Sequence, residues 1–245
     1  MNTKVNYRLS GNTLKIIAAI SMLIDHIGVI FFPQIKIFRI LGRIALPIFS
    51  FMIAEGARYT KNKARYFLTV FSLATICQLV YFFYNGDTYM SILVTFSISI
   101  LTIYTMQLFK ESLFDQESSN LNKMLCGVFF FAVIVCVYFV NTVIEIDYGF
   151  FGCILPVCAA IFHCPKNCNV DFLKKLDTIP MHILMLSLGM LLLSIDSGNR
   201  QFWSFLALPF LVLYSGKRGK TNMKYFFYIF YPAHLLILEG MNMFL

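Results

Sequence analysis

Two ionisable residues, Asp25 and His26, lie next to each other inside the first long apolar segment of the chain, residues 10–33. Two arginines, Arg39 and Arg43, follow in the next apolar segment. Ionisable groups are costly in a lipid-facing helix, so they usually line an interior cavity and pair with one another. A histidine with a carboxylate nearby can act as a general base. These residues therefore indicate an active site or an ion pathway, the alternative being a structural polar clamp between helices.

A second histidine, His234, lies in the last apolar segment, directly after the Pro-Ala pair at 232–233. Pro232 removes a backbone donor and frees a carbonyl one turn earlier. We interpret His234 as a second catalytic element, with a helix-packing hydrogen bond as the alternative. For the arginines, we expect Arg43 to be buried and paired with Asp25, whereas Arg39 could instead extend to the membrane interface.

Several further charged residues are candidates for substrate or cofactor binding. Glu55 lies at the end of the second apolar segment and could either pair with Arg58 or line a cytoplasmic entry. The basic stretches around Arg58 and around Lys217 and Arg218 mostly indicate topology, but either could hold the phosphates of a soluble cofactor. The candidate binding residues are therefore Arg39, Arg43, Glu55, Arg58, Lys217 and Arg218.

The segment HCPKNC, residues 163–168, superficially resembles a metal-binding clip. It supplies only His163, Cys164 and Cys168, and no second cysteine pair follows. We therefore predict that the chain has no metal site.

The composition is that of an integral membrane protein. Of the 245 residues, 59% are hydrophobic and only 13% are charged, and the mean hydropathy is +0.74. A soluble fold of this size could not bury so much apolar surface. The first apolar segment does not resemble a signal peptide, since it carries Asp-His at its centre and lacks a small-residue cleavage site. No alternating basic and aromatic surface indicates a nucleic-acid partner.

The apolar segments predict an all-α, polytopic helical bundle in the lipid bilayer, forming a single domain over residues 1–245. A helical span needs about 20 mostly apolar residues. Nine segments qualify: 13–32, 37–57, 65–84, 90–109, 124–141, 149–163, 180–195, 201–215 and 225–243. Nearly all lysines and arginines then fall in alternate connections, so the positive-inside rule predicts a cytoplasmic N-terminus. The basic residues include Lys4, Arg65, Lys110, Lys123, Lys166 and Lys174.

Three sequence blocks resemble the TraX family of membrane proteins. They are IDHIG at 24–28, GRIALPIF at 42–49 and YPAHLL at 231–236, and the similarity extends over almost the whole chain. TraX-like proteins are polytopic proteins of the bacterial inner membrane, named for N-acetylation of conjugative pilin and related to acyltransferases that use acyl-CoA. The resemblance implies a multi-pass protein of the cytoplasmic membrane and, as site residues, Asp25, His26, Arg43, Glu55 and His234.

The hypothesis that follows is a membrane acyltransferase, with acetyl-CoA as the acyl donor implied by the resemblance. The acetyl group would pass to an amine or hydroxyl of an unidentified acceptor, with His26 as general base. Two alternatives stay open: a proton-coupled transporter, in which buried Asp, His and Glu relay protons, and a non-catalytic component that binds a secreted peptide.

Overall fold

The computed structural model describes residues 8–86, 89–165, 168, 170–221 and 223–242, so the predicted basic positions Lys4 and Lys166 lie outside the described residues. Within these ranges the chain is helical, and strand-like pairing is confined to two isolated bridges. The helices are α1 (Gly11–Ile30), α2 (Lys36–Gly42), α3 (Ala45–Tyr59), α4 (Lys63–Asn85), α5 (Ile92–Phe114), α6 (Asn120–Val143), α7 (Gly149–Ala160), α8 (Asp171–Leu176), α9 (Ile179–Ser197), a 3₁₀ segment (Asn199–Ala207), α10 (Leu208–Val212) and α11 (Lys224–Asn242).

Five of the described segments are long and apolar enough to cross a membrane: Gly11–Ile30, Lys36–Tyr59, Ile92–Phe114, Asn120–Val143 and Ile179–Ser197. Helix α6 shows most clearly that these helices are surrounded by lipid. Its large apolar side chains Val128, Phe131 and Phe139 are 59–61% exposed on the outside of the protein. A helix that is apolar all round and exposed fits a lipid environment. The all-helical membrane class is confirmed.

The second apolar segment, Lys36–Tyr59, is long and apolar enough to span a membrane, as predicted for residues 37–57, but a short turn interrupts its helix. Helix α2 ends at Gly42 and α3 begins at Ala45. Pro47 has no N–H to donate to the carbonyl four residues earlier, which removes a hydrogen bond across the break. Just before the break, the hydroxyl of Ser21 donates to the carbonyls of Leu41 and Gly42. Arg43 therefore lies in a turn and not on the helix face that carries Arg39.

Residues 201–215 also differ from the predicted single helix. A 3₁₀ segment, Asn199–Ala207, leads directly into the five-residue helix α10. Pro209 sits at the start of α10, where its missing N–H is tolerated but where it cannot continue an α-helix from upstream. The segment buries polar side chains such as Gln201 and Ser204, which places an amide in the interior next to the arginine-bearing turn.

The described residues form two compact units. The first comprises residues 1–52 and 198–245, within the described ranges. In it, α1 packs against α2 and α11, and the 3₁₀ segment packs against α2 and α10. The loop before α11 pairs with the start of α1: the N–H groups of Gly11 and Asn12 donate to the carbonyls of Lys217 and Arg218, at 2.8 and 2.9 Å.

The second unit comprises residues 53–197 and is centred on α5, which packs against α4, α6 and α7, while α7 packs against α9. Hydroxyl groups join the central helices. The Ser99 hydroxyl contacts the carbonyls of Thr95 in its own helix and Cys153 in α7, at 2.8 and 2.7 Å. This satisfies polar side chains in a region that offers no water.

The basic and acidic connections of the second unit lie at opposite ends of its helices. At one end, Arg58 pairs with Asp177, and the Lys110 ammonium donates to the carbonyls of Ala160 and Ile161 at the end of α7. At the other end, the Tyr89 hydroxyl donates to Asp147, at 2.7 Å. This arrangement is the one that the alternating basic connections predict.

Candidate functional site

In the first unit, α1 and α11 bring the two predicted histidines together. His26 Nδ1 lies 2.9 Å from His234 Nε2, and the two rings are nearly parallel, with centroids 5.0 Å apart. His234 is 5% exposed. The residues are 208 positions apart in the sequence, so only the packing of the last helix against the first creates this pair.

The hydrogen bonds fix which nitrogen of each neutral ring carries a proton. His234 Nδ1 lies 2.8 Å from the Phe230 carbonyl oxygen. A carbonyl can only accept, so His234 Nδ1 donates. His234 Nε2 is then an acceptor, and His26 Nδ1 donates to it. This order leaves Nε2 of His26 with a lone pair, and no described residue forms a hydrogen bond with it.

Asp25 forms ion pairs with both arginines, so the expected pairing with Arg43 is present, but the closer partner is Arg39. Arg39 Nη1 donates to Asp25 Oδ2 at 2.7 Å, and Arg43 Nη2 lies 4.0 Å from Asp25 Oδ1. Arg43 lies in the turn after α2, and its Nη1 also donates to the buried amide oxygen of Gln201, at 3.1 Å. Asp25 thus contacts the arginines and His26 contacts His234, so the carboxylate does not hold the imidazole.

Glycines allow α1 and α2 to approach closely enough for this arrangement. A Cβ added at Gly42 would overlap both Oδ1 and Cβ of Asp25, and one added at Gly28 would overlap the side chain of Phe38. The position of the Asp25 carboxylate therefore depends on the absence of a side chain at residue 42. This gives a physical reason for the glycine in the GRIALPIF block.

Cationic residues lie at the opposite end of the α1–α11 contact. Lys15 Nζ lies 5.9 Å from the centroid of the Phe227 ring, three helical turns and roughly 16 Å from His26 along α1. Lys217 and Arg218 are exposed and lie in the loop docked on the start of α1. The first unit thus has an exposed basic loop at one end of α1 and the histidine pair towards the other.

Glu55 and Arg58, the two remaining candidates, belong to the second unit and have their own partners there. The carboxylate partner of Arg58 is Asp177 and not Glu55, whose pairing with Arg58 was one of its two predicted roles: Arg58 Nη1 and Nη2 donate to Asp177 Oδ1 and Oδ2, at 2.7 and 2.6 Å. Glu55 is 7% exposed, and its Oε1 lies 3.7 Å from Nε2 of His163.

Sequence reasoning missed Asp177, His182 and Gln201. Each is a lone polar residue outside any recognisable motif, and no periodicity or spacing distinguishes it. Next to Asp177, burial and the hydrogen-bonded thiol of Cys168 raise the pKa of the Cys164 thiol to about 11. At neutral pH, Cys164 is therefore a neutral thiol, not a thiolate nucleophile.

Comparisons with known proteins identify the family of the chain. The chain is 27% identical to the probable fimbrial assembly protein FimC, serogroup H1, of Dichelobacter nodosus, over 98% of each chain. It is 30% identical to the uncharacterized protein RP591 of Rickettsia prowazekii (strain Madrid E), over 60% of this chain and 71% of that protein. No solved structure was found to match the chain. The model of the TraX protein family matches residues 10–242, a range that includes both histidines, and the chain belongs to this family.

Proposed function

We propose that the chain is a membrane acyltransferase that moves an acetyl group from acetyl-CoA to an amine or hydroxyl, with Nε2 of His26 as the general base. The observation that carries the proposal is the order of hydrogen bonds from the Phe230 carbonyl through His234 to His26. It holds His26 in the tautomer whose lone pair is on Nε2, and that nitrogen has no hydrogen-bond partner in the described part of the chain. A positioned base of this kind is what acyl transfer to a weakly acidic nucleophile needs.

In the proposed reaction, Nε2 of His26 takes the proton of the acceptor N–H or O–H as the acceptor attacks the thioester carbonyl carbon. The tetrahedral intermediate then collapses, the carbon–sulfur bond breaks, and the CoA thiolate leaves. The proton on Nε2 passes to that sulfur, which regenerates the neutral ring and releases CoA as a thiol. His234 is a positioning residue, because it contacts His26 and not the reacting atoms.

The charged groups around the pair have separate proposed roles. Arg39 and Arg43, held beside His26 by Asp25, can stabilise negative charge as it develops on the carbonyl oxygen. Lys217 and Arg218 can bind the phosphates of CoA in water, while its long pantetheine arm follows the α1–α11 contact to His26. Arg58 is a weaker candidate for binding the phosphates, because its guanidinium is already paired with Asp177.

We further propose that the chain crosses the bacterial cytoplasmic membrane nine times as a single domain, with a cytoplasmic N-terminus. The separation of basic and acidic connections in the second unit supports this sidedness. The basic loop at 217–220 would then face the cytoplasm, where acetyl-CoA is available. The fimbrial name of the Dichelobacter relative makes a subunit of a surface fibre a reasonable first acceptor to try.

The experiment is transfer of radiolabelled acetyl from acetyl-CoA by the purified protein in lipid vesicles. The acceptors are extracts of native membranes and purified fibre subunits. Wild type and the control C136A, which changes an exposed cysteine of α6, should label an acceptor, and H26A should not, although it elutes and unfolds like wild type. Full activity of H26A would refute the proposal. Uptake driven by a pH gradient without any need for CoA would favour the transporter instead.

A further inference from the structure

The second unit contains a separate cluster of three buried ionisable side chains: Glu55, His163 and His182. They come from α3, the turn after α7, and α9, and are 7%, 4% and 1% exposed. One potential ligand atom from each side chain lies within 4.8 Å of the others. These residues are far apart in the sequence, so the fold brings two imidazoles and a carboxylate to one point.

One nitrogen of each imidazole in this cluster lacks a hydrogen-bond partner among the described residues. His163 Nδ1 and His182 Nδ1 are buried and form no hydrogen bond with any of them. The 3.7 Å between His163 Nε2 and Glu55 Oε1 is too long for a hydrogen bond. A buried polar atom without a partner costs about 1–3 kcal/mol. A ligand bound among these side chains would remove that cost.

Asp177 supplies the kind of outer carboxylate that usually accompanies a metal-binding histidine. Its Oδ1 lies 3.0 Å from Nε2 of His182, within hydrogen-bond distance. Arg58 holds this carboxylate with two hydrogen bonds, and the backbone N–H of Cys164 adds a third, at 3.2 Å. With Nε2 facing Asp177, His182 has Nδ1 left for a ligand.

We propose that Glu55, His163 and His182 bind one divalent transition-metal ion, with zinc as the best fit. Two imidazoles and one carboxylate form a recurrent three-ligand set for zinc that leaves a fourth position for water. Magnesium and calcium prefer sets made only of oxygen ligands. In a tetrahedral zinc site the ligand atoms lie about 3.3 Å apart, and those of the three side chains lie within 4.8 Å of one another, so they need to close by at most about 1.5 Å on binding.

The proposed metal would join α3, α9 and the turn after α7, and so would tie together the basic end of the second unit. The prediction from the sequence that no metal site exists considered the wrong partners for His163. Cys164 and Cys168 follow it in the chain, but the residues that approach its ring in space are Glu55 and His182. The proposal is independent of acyl transfer, since it concerns metal content and stability alone.

The experiment measures zinc per chain by mass spectrometry of the elements, on full-length protein purified with a histidine-free affinity tag. The protein is first stripped with a chelator and then titrated with zinc chloride. Wild type should bind one zinc per chain and gain thermal stability on binding. E55Q and H182Q should lose both effects, and D177N should weaken zinc binding about 10- to 100-fold. The double variant H26A/H234A, which removes the other two histidines, should bind zinc like wild type.

Two outcomes would overturn the proposal. One is a wild-type protein that binds no more zinc than E55Q, in which case the cluster holds only water. The other is a double variant H26A/H234A that loses the zinc, which would place the metal at the other histidines. Glutamine has nearly the same volume as glutamate, so we expect E55Q to fold. The E55Q protein therefore tests the proposal even if H182Q fails to fold.

Discussion

The two histidine clusters of this protein differ in how their nitrogens are satisfied. In the first unit, the hydrogen bonds of His26 and His234 run in one direction, and they end at one nitrogen that has no partner among the described residues. In the second unit, His163 and His182 are packed edge to face, with centroids 4.5 Å apart, and no described residue forms a hydrogen bond with the buried Nδ1 of either ring. The first arrangement is suited to moving a proton and the second to holding a cation. Identical side chains thus acquire different chemistry from their hydrogen-bond partners.

The largest effect that would separate the two clusters is expected from H26A. Loss of a positioned general base should lower acetyl transfer about 10²- to 10⁴-fold, while zinc content stays unchanged. Labelled acetyl transfer and metal analysis on the same H26A preparation measure the rate and the zinc content together. Loss of zinc together with transfer would show that the clusters are not separate.

A second test moves Asp25 without changing any charge. In G42A, the added methyl group overlaps Asp25, so the carboxylate and the two arginines must shift. A displacement of about 1 Å near reacting groups can cost about 10²-fold in rate, and overpacking should lower the free energy of unfolding by about 1–3 kcal/mol. G240A is the matched control, because nothing lies within 4 Å of the added methyl group in α11. Equal activity of the two variants would contradict the role given to residue 42.

The third test concerns His234 as a positioning residue. H234Q should lower kcat about 10- to 100-fold, the equivalent of one hydrogen bond to a charged group, about 1.5–3 kcal/mol. The KM for acetyl-CoA should not change, because His234 contacts the base and not the donor. Steady-state kinetics separates the two constants, and an altered KM with unchanged kcat would assign His234 to substrate binding.

The smallest effect is expected in the second unit. R58M leaves the half-buried Asp177 without its partner and should cost about 1–3 kcal/mol of stability, measured by thermal unfolding, together with weaker zinc binding. The control K174M breaks an exposed pair, 3.8 Å from Asp171, and should cost no more than about 1 kcal/mol. Equal unfolding temperatures would show that Arg58 has no structural role.

The sequence predicts the first cluster better than the second, for a physical reason. Asp25, His26 and His234 stand out because each is an ionisable residue inside an apolar helix, where a charged group is energetically costly and is usually functional. The same argument does not distinguish Arg39 from Arg43, since their choice of partner depends on the helix break that precedes Pro47. Asp177 and His182 lie near the ends of apolar segments, where polar residues are ordinary, and only the packing of α3, α7 and α9 reveals them.

Helix positions were predictable to the extent that hydropathy determines them. The long apolar helices α1, α5, α6 and α9 were predicted within a few residues. The 3₁₀ segment was not, because its composition matches that of a short apolar span and its hydrogen bonding depends on Pro209 and on buried Gln201. Hydropathy therefore predicts the apolar segments but not the helix breaks and 3₁₀ turns next to prolines.

The most direct test of the central claim is the protonation of the His26 ring. Nitrogen NMR of ¹⁵N-histidine-labelled protein in lipid, with peaks assigned by their loss in H26Q and H234Q, reports which ring nitrogen carries the proton. The account predicts protonated Nδ1 and unprotonated Nε2 for both neutral rings. A proton on Nε2 of His26 with a bare Nδ1 would contradict it, since that ring could not present a base at Nε2.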